Sequence, residues 1–113
     1  MSSIPKIEPW QIRIGYVRFP DKPSKGKARP LLVLQVSGDY AYCLKITTVP
    51  ESDFYPRMVL DHAALGLIKP SWLQIQPVYR VALSDIRDCL GKCSLGLAMR
   101  ISSEIEREKA RLD

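Results

Sequence analysis

Nine prolines cut this 113-residue chain into short segments. Each proline fixes its own φ and removes a backbone donor, so it ends a helix or marks a sheet edge. The stretches between them alternate or run apolar over lengths that suit strands. Gln11 to Phe19 alternates through Ile12, Ile14, Tyr16, Val17 and Phe19 and reads as a first strand. Pro20 to Ala28, with two prolines, a glycine and several charges, reads as a loop. Pro30 opens the apolar run Leu31-Leu32-Val33-Leu34-Gln35-Val36, a central strand with proline at its first position, where a missing N–H is tolerated. Ser37-Gly38-Asp39 links that run to Tyr40–Thr48 and predicts a hairpin with a three-residue connection.

Further on, Val49 to Asp53 is a turn and Tyr55 to Leu60 a strand. Asp61 to Gly66 predicts one helical turn, capped by Asp61 and stopped by Gly66. Ser71 to Ala82 is rich in β formers, but Pro77 inside it demands an edge, a bulge or a break. Ser94 then caps the one convincing helix, residues 94–111, whose apolar stripe is Leu97, Ala98, Ile101, Ile105 and Leu112. Glu104, Glu106, Arg107, Glu108, Lys109 and Arg111 form its expected wet face. About five or six short strands and a terminal helix predict a mostly β (α+β) fold, a small barrel with a C-terminal helix. At this length residues 1–113 form a single domain.

No apolar run approaches the roughly 20 residues of a membrane helix, and Met1 to Glu8 lack the features of a secretory signal, so a cytoplasmic protein is expected. Three cysteines, Cys43, Cys89 and Cys93, fit that compartment, because an odd count does not make a disulfide framework. Cys89 and Cys93 stand four apart without a second pair, and the single histidine, His62, is distant, so no metal site is expected. They read as thiols packed in or near the core.

Charge is more informative. The net charge is +5, from 17 Lys and Arg against 12 Asp and Glu. Residues 1–48 hold the whole excess, in Lys6, Arg13, Arg18, Lys22, Lys25, Lys27, Arg29 and Lys45 against Glu8, Asp21 and Asp39. It concentrates between Arg18 and Arg29, as expected of a patch that meets phosphates, although a solvated basic loop gives the same count. No phosphate-binding glycine loop, dinucleotide pattern, paired-cysteine frame or serine-hydrolase signature is present, and His62 reads as a surface residue. Arg29 lies where the basic loop meets the apolar run, and Pro30 restrains it to extended backbone. A planar guanidinium on a rigid strand end suits phosphate. Arg29 stands nine residues before Gly38 and Thr47 nine after, so a hairpin about Gly38 brings them to the same open end. Threonine is also simply a good strand former.

Gly15-Tyr16-Val17, a basic loop, then Ala28-Arg29-Pro30-Leu31-Leu32-Val33-Leu34 resembles the opening of the MazF/PemK toxins. Ile46-Thr47-Thr48, Leu67-Ile68-Lys69-Pro70-Ser71 and Leu90-Gly91-Lys92-Cys93-Ser94 continue the likeness, which spans about Ile12 to Ile105. The resemblance implies an SH3-like barrel, a homodimer, a cognate antitoxin peptide, and metal- and cofactor-independent cutting of single-stranded RNA. Carried across, the catalytic pair falls on Arg29 and Thr47, while Lys22, Lys25, Lys27 and Thr48 bind substrate. This sequence departs from the pattern at Tyr16, where the family has an acid, and at Ala28. Its basic loop holds no histidine or glutamate to carry protons. A binding module on the same barrel, without catalysis, is the alternative.

Overall fold

Leu31, Leu32 and Val33 are all fully buried, which a strand achieves only when both its faces are covered. The computed structural model describes residues 6–18, 21–22, 24–50 and 56–112, the last two by backbone alone. It shows a mostly antiparallel, seven-stranded sheet and one C-terminal helix, an α+β fold. The elements are β1 (Gln11–Arg18), β2 (Gly26–Ser37), β3 (Tyr40–Thr47), β4 (Arg57–Leu60), β5 (Ser71–Gln74), β6 (Tyr79–Ala82), a 3₁₀ turn (Leu83–Asp85), β7 (Ile86–Lys92) and α1 (Leu95–Leu112). The expected ends of strands at Phe19 and Tyr55, the turn residues Glu51 to Asp53, and Pro20 and Pro23 of the loop lie outside the described residues.

The ladders run β4-β5-β3-β2-β1-β7, with β6 also paired to β3. β3 is therefore shared: Tyr40–Cys43 pair with β6, and Ile46 and Thr47 pair with β5. The sheet forks at Leu44 and Lys45. No ladder among the described residues joins β4 to β7, so hydrogen bonding does not close the sheet into the expected barrel. The break demanded by Pro77 is real, since β5 ends at Gln74 and β6 begins at Tyr79.

Two buried clusters sit on the two faces. Ile12, Leu32, Leu44 and Ile46 pack with Leu60, Leu65, Leu67, Leu73, Ile75, Cys93 and Ile101 of α1. Leu31, Val33, Ala41 and Cys43 pack with Val81 and Ile86. Residues of odd and even number along β2 thus enter different clusters, as the two-residue period of a strand requires. Cys43 and Cys93 are buried thiols, and burial pushes the Cys43 thiol up to about 12, while Cys89 is exposed rather than packed.

Several local expectations shift. β2 starts at Gly26, so Lys27, Ala28 and Arg29 belong to a strand and not to a loop or strand end. Pairing with β1 draws them in, through Val17↔Lys27, Tyr16↔Ala28 and Gly15↔Arg29. Pro30 accordingly lies inside β2, and the β2–β3 ladder stops one residue short of it, at Leu31↔Lys45. The hairpin turn is Gly38-Asp39, two residues and not three, with Gly38 at φ +59 as a II′ turn asks of its first central residue. The Asp61–Gly66 segment turns as expected, with Asp61 Oδ1 accepting from Ala64 N and Gly66 at φ +77, but as consecutive turns and not a helix.

Ser94 caps α1, its Oγ accepting from Leu97 N at 3.2 Å. Glu108, assigned to the wet face, is buried and accepts from Gln76 Nε2 at 3.4 Å. It stands seven residues after Ile101 and so continues the inward stripe. The side chains of Arg111 and Leu112 lie outside the described residues. Arg13, counted with the surface charge, is 1% exposed. Its Nε donates to Gln11 Oε1, its Nη1 to Arg87 O and its Nη2 to Lys6 O, at 2.9 to 3.1 Å.

Candidate functional site

The hairpin sets the site. Next to the turn, Ser37 faces Tyr40 and Gln35 faces Tyr42, a register that would extend to place Arg29 against Thr48. One extra residue in β2, Leu34, shifts it, because Val33 faces Cys43. Continuing the Leu31↔Lys45 register by two residues brings Arg29 opposite Thr47. Side chains of one face alternate, so Lys27, Arg29, Lys45 and Thr47 share a side of the sheet.

They line a single groove of about 480 Å³, together with Thr48, Val49, Arg57 and Ser71. The fork in β3 opens it: beyond Cys43 the strand leaves β6 and swings to β5, and Lys45 stands at the divergence. Four cations therefore surround Thr47, and no carboxylate is among the described lining residues. The Lys45 ammonium records this. Partial burial lowers its pKa first, and the charges of Arg29, Arg57 and Lys27 push it further down.

The two arginines differ in how they are held. Arg57 is anchored, with Nη1 donating to Val49 O at 2.6 Å and Nη2 to Gln74 Oε1 at 3.4 Å. Arg29 makes no hydrogen bond or ion pair among the described residues, and its Nε, like that of Arg57, is buried without an acceptor. A buried donor left unmade costs about 1–3 kcal/mol, a cost that an incoming acceptor removes. Thr47 Oγ1 accepts from Val49 N at 3.2 Å, which leaves its hydroxyl proton to donate. Guanidinium forks, an ammonium and an oriented hydroxyl make a donor set that fits a phosphate. It does not fit a metal ion, which needs lone pairs, and no group of three or more His, Cys, Asp or Glu is placed to hold one among the described residues.

Of the residues singled out from sequence, Arg29, Thr47, Lys27 and Thr48 come together here. Lys22 and Lys25 do not line the groove. Both are exposed in the β1–β2 connection, where Lys25 N donates to Lys22 O. Sequence reasoning missed Lys45, Arg57 and Ser71. Lys45 was legible, since it lies two residues from Thr47 on a strand; Arg57 reaches the groove only because β4 pairs with β5. A neighbouring hollow of about 260 Å³ shares Pro30, Thr48 and Ser71 and is otherwise mostly apolar, with Ile14, Leu67, Ile68 and Leu90 in its wall beside Lys69. Trp72 and Tyr79 stand on separate strands and are both half-buried. Among the described residues no helix is long and apolar enough to cross a membrane.

No family model matches the chain, and no curated protein is significantly similar to it. The fold and the groove define an α+β protein whose forked sheet gathers four cations about one threonine.

Proposed function

We propose that this chain is an endoribonuclease toxin of the MazF/PemK type, cutting single-stranded RNA in the cytoplasm without a metal or cofactor. The observation that carries the reading is that Lys27, Arg29, Lys45 and Arg57 line one groove with Thr47, and that Arg29 Nε is buried there without an acceptor among the described residues. In this scheme the RNA 2′-oxygen attacks the adjacent phosphorus. The P–O5′ bond breaks, and a 2′,3′-cyclic phosphate and a 5′-hydroxyl end result. Arg29 donates to the non-bridging oxygens, where charge builds in the transition state. Thr47 donates to one of them and fixes the approach. Arg57, held by Val49 and Gln74, supplies a rigid second charge.

The proton carrier missing from the basic loop is Lys45. Its lowered pKa raises the fraction of neutral amine, which takes the 2′-hydroxyl proton, while the departing O5′ takes one from water. Lys22 and Lys25 steer the RNA from the exposed connection. The same cationic groove complements an acidic antitoxin peptide, and the reading carries with it a homodimer.

The test is incubation with a long unstructured RNA in the presence of EDTA, with the cut ends mapped. Discrete cuts bearing cyclic-phosphate and 5′-hydroxyl ends are expected, with a rate at least about a hundredfold lower for Arg29→Ala. Intact RNA after long incubation, or full activity in a folded Arg29→Ala protein, overturns the mechanism. Tight binding without cutting would favour a binding module on the same fold.

A further inference from the structure

Val17, the ladder partner of Lys27, lines a second concavity of about 310 Å³. Three tyrosines from three strands converge in it: Tyr16 of β1, Tyr40 of β3 and Tyr79 of β6. Two arginines lie over rings, Arg80 at 4.5 Å from the Tyr40 centroid and Arg18 at 5.3 Å from that of Tyr16. Arg18 also pairs with Asp85, Nη2 to Oδ1 at 3.3 Å, so the single carboxylate in the wall is offset. None of these side chains belongs to the groove around Thr47.

The arrangement has a specific chemistry. Tyr40 keeps 40% of its surface exposed and Tyr16 is half-buried, so these two rings present faces or edges to solvent, while Tyr79 packs against the cluster of Leu31, Val33 and Cys43 and forms the floor. Aromatic faces beside guanidinium planes bind flat, electron-poor or hydrogen-bonding rings by stacking from either group. A chain with phosphates spaced along it is held at the cationic groove, and its bases project to the side. The Lys27↔Val17 pair makes the two concavities neighbours, at the distance between paired strands. A phosphate-only ligand leaves the tyrosines unused.

We propose that the Tyr16–Tyr40–Tyr79 concavity is a stacking subsite for an unpaired nucleobase flanking the phosphate held at Arg29. The inference rests on the RNA-cutting reading and adds to it a site for the base. It gives Tyr16, a departure from the family's pattern, a role in holding substrate. It also explains how a strand is held by more than its charge: stacking is independent of salt, whereas the phosphate contacts weaken as salt rises.

The experiment uses the full chain and two fluorescein-labelled decamers of equal charge, a mixed-sequence single-stranded RNA and the same backbone with abasic sites. Anisotropy titrations at several salt concentrations are compared for wild type, Tyr40→Ala, Tyr40→Phe, Tyr16→Ala and Arg29→Ala. Tyr40→Ala and Tyr16→Ala are expected to weaken binding of the RNA by roughly tenfold each while leaving its salt slope and the abasic affinity unchanged. Tyr40→Phe retains binding, because a phenyl ring stacks as well. Arg29→Ala weakens both decamers and flattens the slope. Circular dichroism confirms the fold of each variant, and should Tyr40→Ala fail to fold, Tyr16→Ala and Arg80→Ala decide the matter. Unchanged RNA affinity in folded tyrosine variants, with Arg29→Ala still weakened, overturns the subsite and leaves the ribonuclease reading standing. Failure of the wild type to bind the RNA decamer at all overturns both.

Discussion

Lys45 carries the tension between stability and activity at the level of single residues. Its folded pKa lies below the ordinary lysine value of 10.5, so between those two values the unfolded chain binds more protons than the native one. Stability therefore rises with pH across that window, and at neutral pH the charged ammonium is a net cost. Lys45→Met is expected to raise stability at pH values below that window and to flatten the rise across it. Urea titrations at several pH values measure both effects. On the proposed reading the same substitution is expected to remove RNA cutting, and Lys45→Arg, which keeps the charge but cannot release the proton, is expected to bind RNA without cutting it. A wild-type rate that climbs with pH and levels below 10.5 is the corresponding kinetic signature. Arg13 behaves oppositely. Its guanidinium is buried against Gln11 and two backbone carbonyls, so Arg13→Ala leaves acceptors unmet and is expected to cost about 3 kcal/mol in denaturant melts.

Elements fix where those residues meet. α1 begins at Leu95 because Ser94 satisfies Leu97 N, and Ser94→Ala is expected to cost about 1 kcal/mol without altering RNA affinity, as chemical denaturation and anisotropy together would show. The turn ending at Gly66 is held against β7 so closely that a Cβ there would collide with the Leu90 carbonyl, and its φ of +77 independently disfavours any side chain. Gly66→Ala is accordingly more damaging than Gly38→Ala, where the turn faces open space and only the φ of +59 opposes the change. In the β2–β3 hairpin the inserted residue at Leu34 does the decisive work. It moves the register by one, so that the Leu31↔Lys45 pair, continued beyond the end of the ladder, points Arg29 to Thr47 in place of Thr48.

For the whole molecule, the distribution of charge is the property to measure. The cations of the first half divide four ways: Arg13 goes to the interior, Arg18 to an ion pair with Asp85, Lys6, Lys22 and Lys25 to exposed positions, and Lys27, Arg29 and Lys45 to the groove, where Arg57 joins them. If four groove cations each meet a phosphate of a single strand, affinity falls with salt on a logarithmic slope of about −3. A slope near zero in anisotropy titrations would remove the groove from RNA binding.

The sequence by itself determined the class of fold and half of the groove. Pro30 and the apolar run after it, the alternation of β1, and the Ser94 cap are local signals, and local signals survive in one dimension. The pairing of Arg29 with Thr47 was also legible, because counting outward from Gly38 needs only the turn. The count and the register of the ladder, which ends at Leu31↔Lys45, agree through two compensating shifts, a turn one residue shorter than expected and a bulge one residue long. Tertiary structure alone decided the rest. Whether the sheet closed depended on β3 dividing between β5 and β6, a choice made by packing on two faces. Arg57 and Ser71 entered the groove, and the three tyrosines came together, through strand pairings between segments far apart in the chain. Glu108 and Arg13 went inward because particular partners, Gln76 for one and backbone carbonyls for the other, were there to receive them. Charge and hydropathy say what a side chain prefers on average; only the folded chain supplies the partner that overrides it.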